Sequence, residues 1–189
     1  PDASRPAGIS SASRLTASRT SAVRGPRGSA SSAPARPSTT ASRTAATATT
    51  GEGLTLAPDE TARLVAIVRD EVSGIREGLP VCLGLSGSDT RELLDTLERT
   101  AAWPIDGYLI SCPYYSRPTQ TGMIRHFSAL ADQATHPVMI YNIPYRTGVN
   151  LGNETMLRLA ELPNIIGVKD CCADAGQSFD LQRRKPEGF

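Results

Sequence analysis

One lysine stands directly after an apolar run near the end of the chain. Residues 165–168 are followed by Lys169, the only other lysine is Lys185 in the polar tail, and the remaining basic residues apart from two histidines are arginines. A guanidinium stays protonated, whereas a primary amine in an apolar surround can lose its proton and attack a carbonyl carbon. We therefore predict a Schiff-base lysine at position 169, at the end of a buried strand. The alternative is a surface lysine that closes an edge strand, and the apolar pattern alone favours neither.

Hydroxyl side chains stand at the other positions that such chemistry would use. Tyr115 follows one predicted strand, Tyr141 ends the next, and Thr49 and Thr50 precede the first predicted helix. Hydroxyls with no base beside them suit proton relay better than nucleophilic attack. Each tyrosine could also be a half-buried packing aromatic. The pattern indicates one amine surrounded by hydroxyl groups.

Alternating strand and helix signals must position these side chains. Apolar runs predict strands that start near residues 81, 108, 138 and 165, with amphipathic helix patterns between them and a helix capped by Asn153 before the last. Starts about 30 residues apart are typical of parallel strands joined by crossover helices. Eight such units would approach the roughly 250 residues of a (β/α)8 barrel, whose chemistry lies at the C-terminal ends of its strands. A doubly wound open sheet is the alternative, but no Gly-x-Gly-x-x-Gly follows any predicted strand.

The first 47 residues have a different composition from the rest. Residues 1–47 contain seven Arg, one acid and no Lys, with Ile9, Leu15 and Val23 as the only larger apolar residues. Such a segment cannot bury enough surface to offset its chain entropy, so we predict disorder. The composition fits an organellar targeting peptide or a frame artefact of the sequence, and the lack of aromatic residues argues against nucleic-acid binding.

Other kinds of site are not indicated. Cys82, Cys112 and the adjacent Cys171 and Cys172 have no Cys-x-x-Cys spacing, and the two histidines lie away from the predicted strand ends. We therefore predict no metal, no nucleotide cofactor and no membrane span, and reduced thiols in a cytoplasmic protein.

Four segments resemble a known family. They are Thr49-Thr50-Gly51-Glu52, Pro113-Tyr114-Tyr115-Ser116-Arg117-Pro118-Thr119-Gln120, Tyr141-Asn142-Ile143-Pro144-Tyr145-Arg146-Thr147-Gly148 and Ile166-Gly167-Val168-Lys169-Asp170. In order and spacing they are similar to the signatures of the dihydrodipicolinate synthase and N-acetylneuraminate lyase family. Its members are pyruvate-dependent class I aldolases on a (β/α)8 TIM barrel. The resemblance covers the chain from Thr49 to about Ser178.

The resemblance implies a role for each matching residue. Lys169 would form an imine with pyruvate, and no separate cofactor would be needed. Thr49, Tyr141 and Tyr115 would form the proton relay, with Tyr115 reaching the site of a neighbouring subunit in a homo-oligomer, a homotetramer in that family. Thr49 and Thr50 would also hold the pyruvate carboxylate.

The same resemblance bears on the second substrate. Gly167 would leave room beside the imine, and Arg146 would pair with the carboxylate of the second substrate. The Pro-x-Arg-Thr-Gly loop is more similar to the synthases that condense pyruvate with aspartate semialdehyde, for lysine and diaminopimelate biosynthesis, than to the sialic acid lyases. A sugar-acid or aromatic-aldehyde aldolase is the alternative. Pro58 stands where lysine-sensitive members have His, and Leu85 and Ser86 depart from the usual Gly-Thr-Gly.

The resemblance also implies that the chain is an incomplete member. Residues 48–189 would form a partial barrel of about strands three to six, because residues 1–47 cannot supply the strand, helix and strand that precede Thr49 in the family. We expect a frame change just before Thr49, or a targeting peptide, and no strands seven and eight. A partial barrel leaves strand edges unpaired, so we also expect the isolated chain to be unstable, or to be an inactive fragment or pseudoenzyme.

Overall fold

The described residues form a five-stranded parallel sheet. The computed structural model describes residues 45–46, 53–75 and 78–189. The strands lie in chain order, and each is parallel to the next: β1 (Ala45–Ala46), β2 (Val81–Leu85), β3 (Gly107–Ser111), β4 (Val138–Asn142) and β5 (Ile165–Asp170). All four predicted strands are therefore confirmed.

Helices connect the strands, as a parallel sheet requires. They are α1 (Pro58–Ile75), α2 (Thr90–Thr100), α3 (Gln120–Gln133), α4 (Pro144–Thr147), α5 (Asn153–Leu159) and α6 (Ala175–Arg184). The short α4 and the final α6 have no counterpart in the sequence prediction.

Strand β1 corrects one predicted boundary. Ala45–Ala46 pairs with β2 although it lies inside the range predicted to be disordered. Two alanines give no apolar signal, but their backbone groups can extend a parallel ladder without large side chains. The rest of residues 1–47 lies outside the described residues, as do Thr49 and Thr50.

The two faces of the sheet differ because successive side chains of a strand point to opposite sides. On one face, Leu83, Tyr108, Ile110, Val138 and Ile140 are at most 2% exposed and belong to the core. Apolar residues of the covering helices complete this core: Leu93, Leu97, Met123, Phe127, Leu130, Met156 and Leu159. The opposite face therefore carries the side chains that are free for chemistry.

The starts of α2 and α5 are capped in different ways. Asp89, the N-cap of α2, accepts a hydrogen bond from the Arg91 backbone N–H at 2.8 Å. The prediction that Asn153 caps α5 is wrong, because Gly152 is the N-cap and Asn153 is the first helical residue. The Asn153 amide instead donates to the Gln177 carbonyl and to Asp180 of α6, which offer acceptors from a later part of the chain.

A buried histidine between α2 and α3 makes the fold sensitive to acid. His126 is 5% exposed, its Nδ1 lies 2.8 Å from Thr90 Oγ1, and its Nε2 has no hydrogen-bond partner among the described residues. Burial lowers the pKa of His126 to about 4. The unfolded chain therefore takes up this proton near its ordinary pKa of about 6.5, well before the folded chain does. The stability contributed by neutral His126 is complete above about pH 6.5 and is lost as the pH falls toward 4.

We expect the free energy of unfolding to fall by up to about 3 kcal/mol when the pH is lowered to 4, because neutral His126 then no longer favours the folded chain. Unfolding by urea between pH 7 and pH 4 measures it, and His126→Gln, which cannot titrate, should show a flatter profile over that range. Equal slopes in the two proteins would contradict the assignment.

Candidate active site

The structure brings together Lys169 and Tyr141. They are register partners on the adjacent strands β5 and β4, so both side chains leave the same face near the C-terminal ends of the strands. The Nζ atom of Lys169 lies 4.2 Å from the centroid of the Tyr141 ring. An ammonium at this distance is attracted to the face of the ring. The amine and the phenol are thus neighbours, as the sequence predicted.

The predicted apolar surround of Lys169 is not present. Lys169 is exposed, and β5 is the last strand of the described sheet. Burial depends on what covers a face, and no described residue covers the open face at this point. The prediction of a water-poor amine is therefore wrong for this structure. The described residues instead show the alternative, an exposed lysine on an edge strand.

Two serines extend the site across the sheet. Ser111 is the register partner of Tyr141 on β3, and its Oγ donates to Ser86 Oγ at 3.0 Å, just beyond β2. Together with Tyr141 and Lys169, the two serines form a line across the C-terminal ends of four strands. We call this line the polar row: Ser86, Ser111, Tyr141 and Lys169. Sequence reasoning gave Ser86 and Ser111 no role, although the position of Ser111 at the end of a predicted strand was a usable signal.

The loop after β3 holds Tyr115 away from this pair. Tyr115 is 94% exposed, so the described chain leaves it outside the Lys169–Tyr141 contact. Its φ is 65° and that of Arg117 is 46°, both in the left-handed region that disfavours residues with a side chain. Two such residues in one loop cost of order 1–3 kcal/mol each, so the shape of the loop is fixed by its surroundings.

Arg146 lies on α4, the single turn that follows β4. Pro144 begins the helix with a φ suited to its first turn, and Gly148 ends it with a φ of 76°. Arg146 is exposed. Arg117 packs against Gly148, where an added Cβ would lie 3.0 Å from Arg117 Nε. A glycine is therefore required at position 148, because both the positive φ and the contact with Arg117 disfavour a Cβ. Gly148 thereby shapes the loop that carries Arg146.

Replacing Gly148 by alanine is expected to lower the free energy of unfolding by about 1–2 kcal/mol, because alanine disfavours positive φ and meets Arg117. Urea unfolding measures the change. Gly74→Ala is the matched control, since an added Cβ there meets no described atom within 4 Å. That variant, inside α1, should raise stability by up to about 1 kcal/mol. Similar effects of the two substitutions would refute the conformational argument.

Gly167 lies beside the amine. It precedes Lys169 by two positions on β5 and so shares its face, and no atom of the described residues lies within 4 Å of an added Cβ. Open space is thus available next to Lys169. That this space serves an imine stays a prediction.

Below the polar row, on the opposite face, Asp170 binds a set of donors. Asn142 Nδ2 at 2.9 Å, Ser178 Oγ at 2.6 Å, and the backbone N–H and thiol of Cys172, both at 3.2 Å, donate to its carboxylate. Burial on its own raises the pKa of Asp170, but the hydrogen bonds from Ser178, Cys172 and Asn142 outweigh it, and the pKa lies below its usual value. Asp170 is therefore a carboxylate at neutral pH.

Neither a metal-ligand cluster nor a membrane-spanning helix is present in the described ranges. They contain no group of three or more His, Cys, Asp or Glu side chains placed to hold a metal ion. The four cysteines, Cys82, Cys112, Cys171 and Cys172, are free thiols. Among the described helices, none combines the length and the apolar character needed to cross a bilayer.

The sequence profile of the dihydrodipicolinate synthetase family matches residues 43–189. The chain belongs to this family. The match includes β1, and the break expected just before Thr49 stays a prediction.

Curated relatives in the dihydrodipicolinate synthetase family carry one activity name. The 4-hydroxy-tetrahydrodipicolinate synthase of Neisseria gonorrhoeae is 40% identical over 141 residues, which are 75% of this chain and 47% of the relative. The enzyme of the same name from Laribacter hongkongensis is 42% identical over an equal share. The chain thus spans about half the length of the curated relatives that it matches.

Solved structures of family members agree on the fold. The dihydrodipicolinate synthase of Cyanidioschyzon merolae, crystallised with lysine bound, matches with a TM-score of 0.72 and 35% identity over 77% of this chain and 49% of its own. The enzyme from Acinetobacter baumannii complexed with pyruvate matches with a TM-score of 0.67 and 33% identity, over 74% of this chain and 47% of its own. These enzymes are TIM barrels, and the parallel α/β sheet described here is part of such a barrel, as predicted.

Proposed function

We propose that Lys169 condenses with the keto carbon of pyruvate to form an imine. The amine adds to the carbonyl carbon, and the oxygen leaves as water. The imine then withdraws electrons, so that a methyl proton can be removed to give an enamine. The observation that carries the proposal is the pairing of Lys169 Nζ with the Tyr141 ring at 4.2 Å, at the ends of adjacent parallel strands.

Tyr141 is the proton-transfer residue in this proposal. Its ring is already against the amine, and its phenol can give a proton to the departing oxygen and take it back from water or substrate. Thr49 and Tyr115 complete the relay by family resemblance, and Thr50 binds the pyruvate carboxylate.

Aspartate semialdehyde is the proposed second substrate. The enamine carbon attacks its aldehyde, whose oxygen takes up a proton to become a hydroxyl. The amine of the second substrate then attacks the imine carbon and displaces Lys169 as the free amine, which closes the ring of 4-hydroxy-tetrahydrodipicolinate. Two observations support this choice: the shared activity name of relatives about 40% identical, and Arg146 on the loop that follows Tyr141. A guanidinium can bind a carboxylate through two hydrogen bonds.

A homo-oligomer is proposed for the working enzyme, in the cytoplasm. Tyr115 is held in a strained backbone conformation yet is 94% exposed, which suits a side chain that completes the site of a neighbouring subunit. One solved family member is described as the first monomeric variant of the enzyme, so association can differ among members. The free thiols are consistent with a reducing compartment.

The test is reductive trapping of the chain with pyruvate and borohydride, followed by mass spectrometry. We expect one adduct, on Lys169. An adduct on Lys185, or none, would overturn the proposal and favour an inactive fragment. A second incubation adds aspartate semialdehyde and measures the condensation product. Trapping without this product would favour a sugar-acid or aromatic-aldehyde acceptor.

A further inference from the structure

We propose that Asn142 is a positioning residue that holds Lys169 and Tyr141 opposite each other, by joining the end of β4 to the end of β5 and to the loop that carries Arg146. This inference rests on the proposed function, because it assigns a task to a residue of that same site.

The first step is the bond between the strands. Asn142 and Asp170 are register partners, and Asn142 Nδ2 donates to Asp170 Oδ1 at 2.9 Å. One residue earlier on each strand is the other pair, Tyr141 and Lys169, which faces the opposite side of the sheet. The bond on one face therefore fixes the separation of the two reactive side chains on the other.

The second step is the register itself. The pairing of β4 with β5 shifts between Val138 and Met139, so the ladder at the start of the strands does not set the alignment at their ends. A slip of one residue would move Lys169 to the helix-covered face. The Asn142–Asp170 bond lies beyond the irregularity and keeps the ends aligned.

The third step is the loop. Asn142 Nδ2 also donates to Asn150 Oδ1 at 2.9 Å, and its Oδ1 accepts from the Leu151 backbone N–H at 3.0 Å. These bonds close the segment from residue 143 to residue 150, which includes Arg146. One side chain thus ties the amine, the phenol and the guanidinium to a common frame.

The environment of Asn142 supports a specific task. Asn142 is fully buried on the face where Val138 and Ile140 of the same strand are apolar. A buried amide costs free energy unless it is bonded, and this one uses both N–H groups and its carbonyl. Its partner Asp170 is a carboxylate also bound by Ser178 of α6, and bonds to a charged group are about twice as strong as neutral ones.

The experiment compares Asn142→Leu with Asn164→Leu. Leucine has a similar shape, adds no charge and removes every side-chain hydrogen bond. Asn164 is the matched control, because its amide also donates two bonds, to the carbonyls of Ala131 and Ala134, near the opposite end of β5. We expect the rate of pyruvate trapping to fall about tenfold or more in Asn142→Leu, since small misplacements of reacting groups have large kinetic costs. In Asn164→Leu the trapping rate should change by less than about twofold, although both variants should unfold at a lower temperature than the unaltered chain.

A charge-neutral exchange provides the rescue. In the double variant Asn142→Asp with Asp170→Asn, the donor and acceptor swap strands and the bond between the strand ends is kept, while the bond to Asn150 Oδ1 is lost because a carboxylate has no N–H. Trapping by this variant should return to within about threefold of the original rate. Trapping as slow as in Asn142→Leu would overturn the inference, as would equal losses in the two leucine variants.

A third measurement separates failure of this inference from failure of the proposed function. The chain has only two lysines, so competitive acetylation compares Lys169 with Lys185 in one sample without pyruvate. Release of Lys169 from the Tyr141 ring should raise its labelling relative to Lys185 by about twofold or more in Asn142→Leu, because the ring then no longer shields one side of the amine from the reagent. An unchanged ratio would overturn the inference, whereas absence of any pyruvate adduct in the unaltered chain would overturn the proposed function.

Discussion

Replacing Lys169 by arginine is expected to abolish the reduced pyruvate adduct, a loss of at least about 1,000-fold in trapping rate. A guanidinium remains protonated and has no lone pair available for attack on the keto carbon. Arginine keeps the positive charge over the Tyr141 ring, so the sheet and its neighbouring contacts should remain intact. Mass spectrometry of the chain after pyruvate and borohydride measures the effect.

The chain supplies its own control. Lys185→Arg makes the same chemical change in the polar tail, where Lys185 Nζ donates to the Phe189 carbonyl. That variant should give the adduct at the original rate. An adduct that survives in Lys169→Arg and disappears in Lys185→Arg would show that the reactive amine is in the tail.

Replacing Tyr141 by phenylalanine should slow exchange of the pyruvate methyl protons with deuterium by about 100-fold or more, the range that a positioned acid or base contributes. The ring that contacts Lys169 is retained, so only the hydroxyl is removed. Exchange followed by NMR measures the step from imine to enamine directly, without the second substrate.

Tyr108→Phe is the matched control for this prediction. Tyr108 is fully buried, and its hydroxyl lies 3.0 Å from Thr100 Oγ1 in the core. The variant should lose about 1 kcal/mol of stability with unchanged exchange. Exchange slowed equally in both would mean that Tyr141 acts through stability and not through proton transfer.

The parallel sheet could be predicted because its strands are continuous apolar runs at a regular interval. The ends of parallel strands meet at one edge, so the proximity of Tyr141 and Lys169 followed from the prediction of β4 and β5 alone. The pair Ala45–Ala46 could not be found in this way, because its pairing is a property of the backbone and not of its side chains.

The exposure of Lys169 and the role of Asn142 could not be read from local sequence. Burial depends on which other segments cover a face, and Lys169 follows an apolar run that is typical of a covered strand. Asn142 binds Asp170, 28 residues away along the chain, and Leu151 beyond the intervening turn of helix. A polar residue at the end of an apolar strand is a signal, but its partners are known only from the fold.

The separation of the two faces of the sheet has a consequence for how this protein can diverge. Ser111 of the polar row shares β3 with Ile110 of the core, yet the two side chains lie on opposite faces and do not compete for the same space. Substitutions can therefore change the surroundings of Lys169 on one side while selection preserves packing on the other.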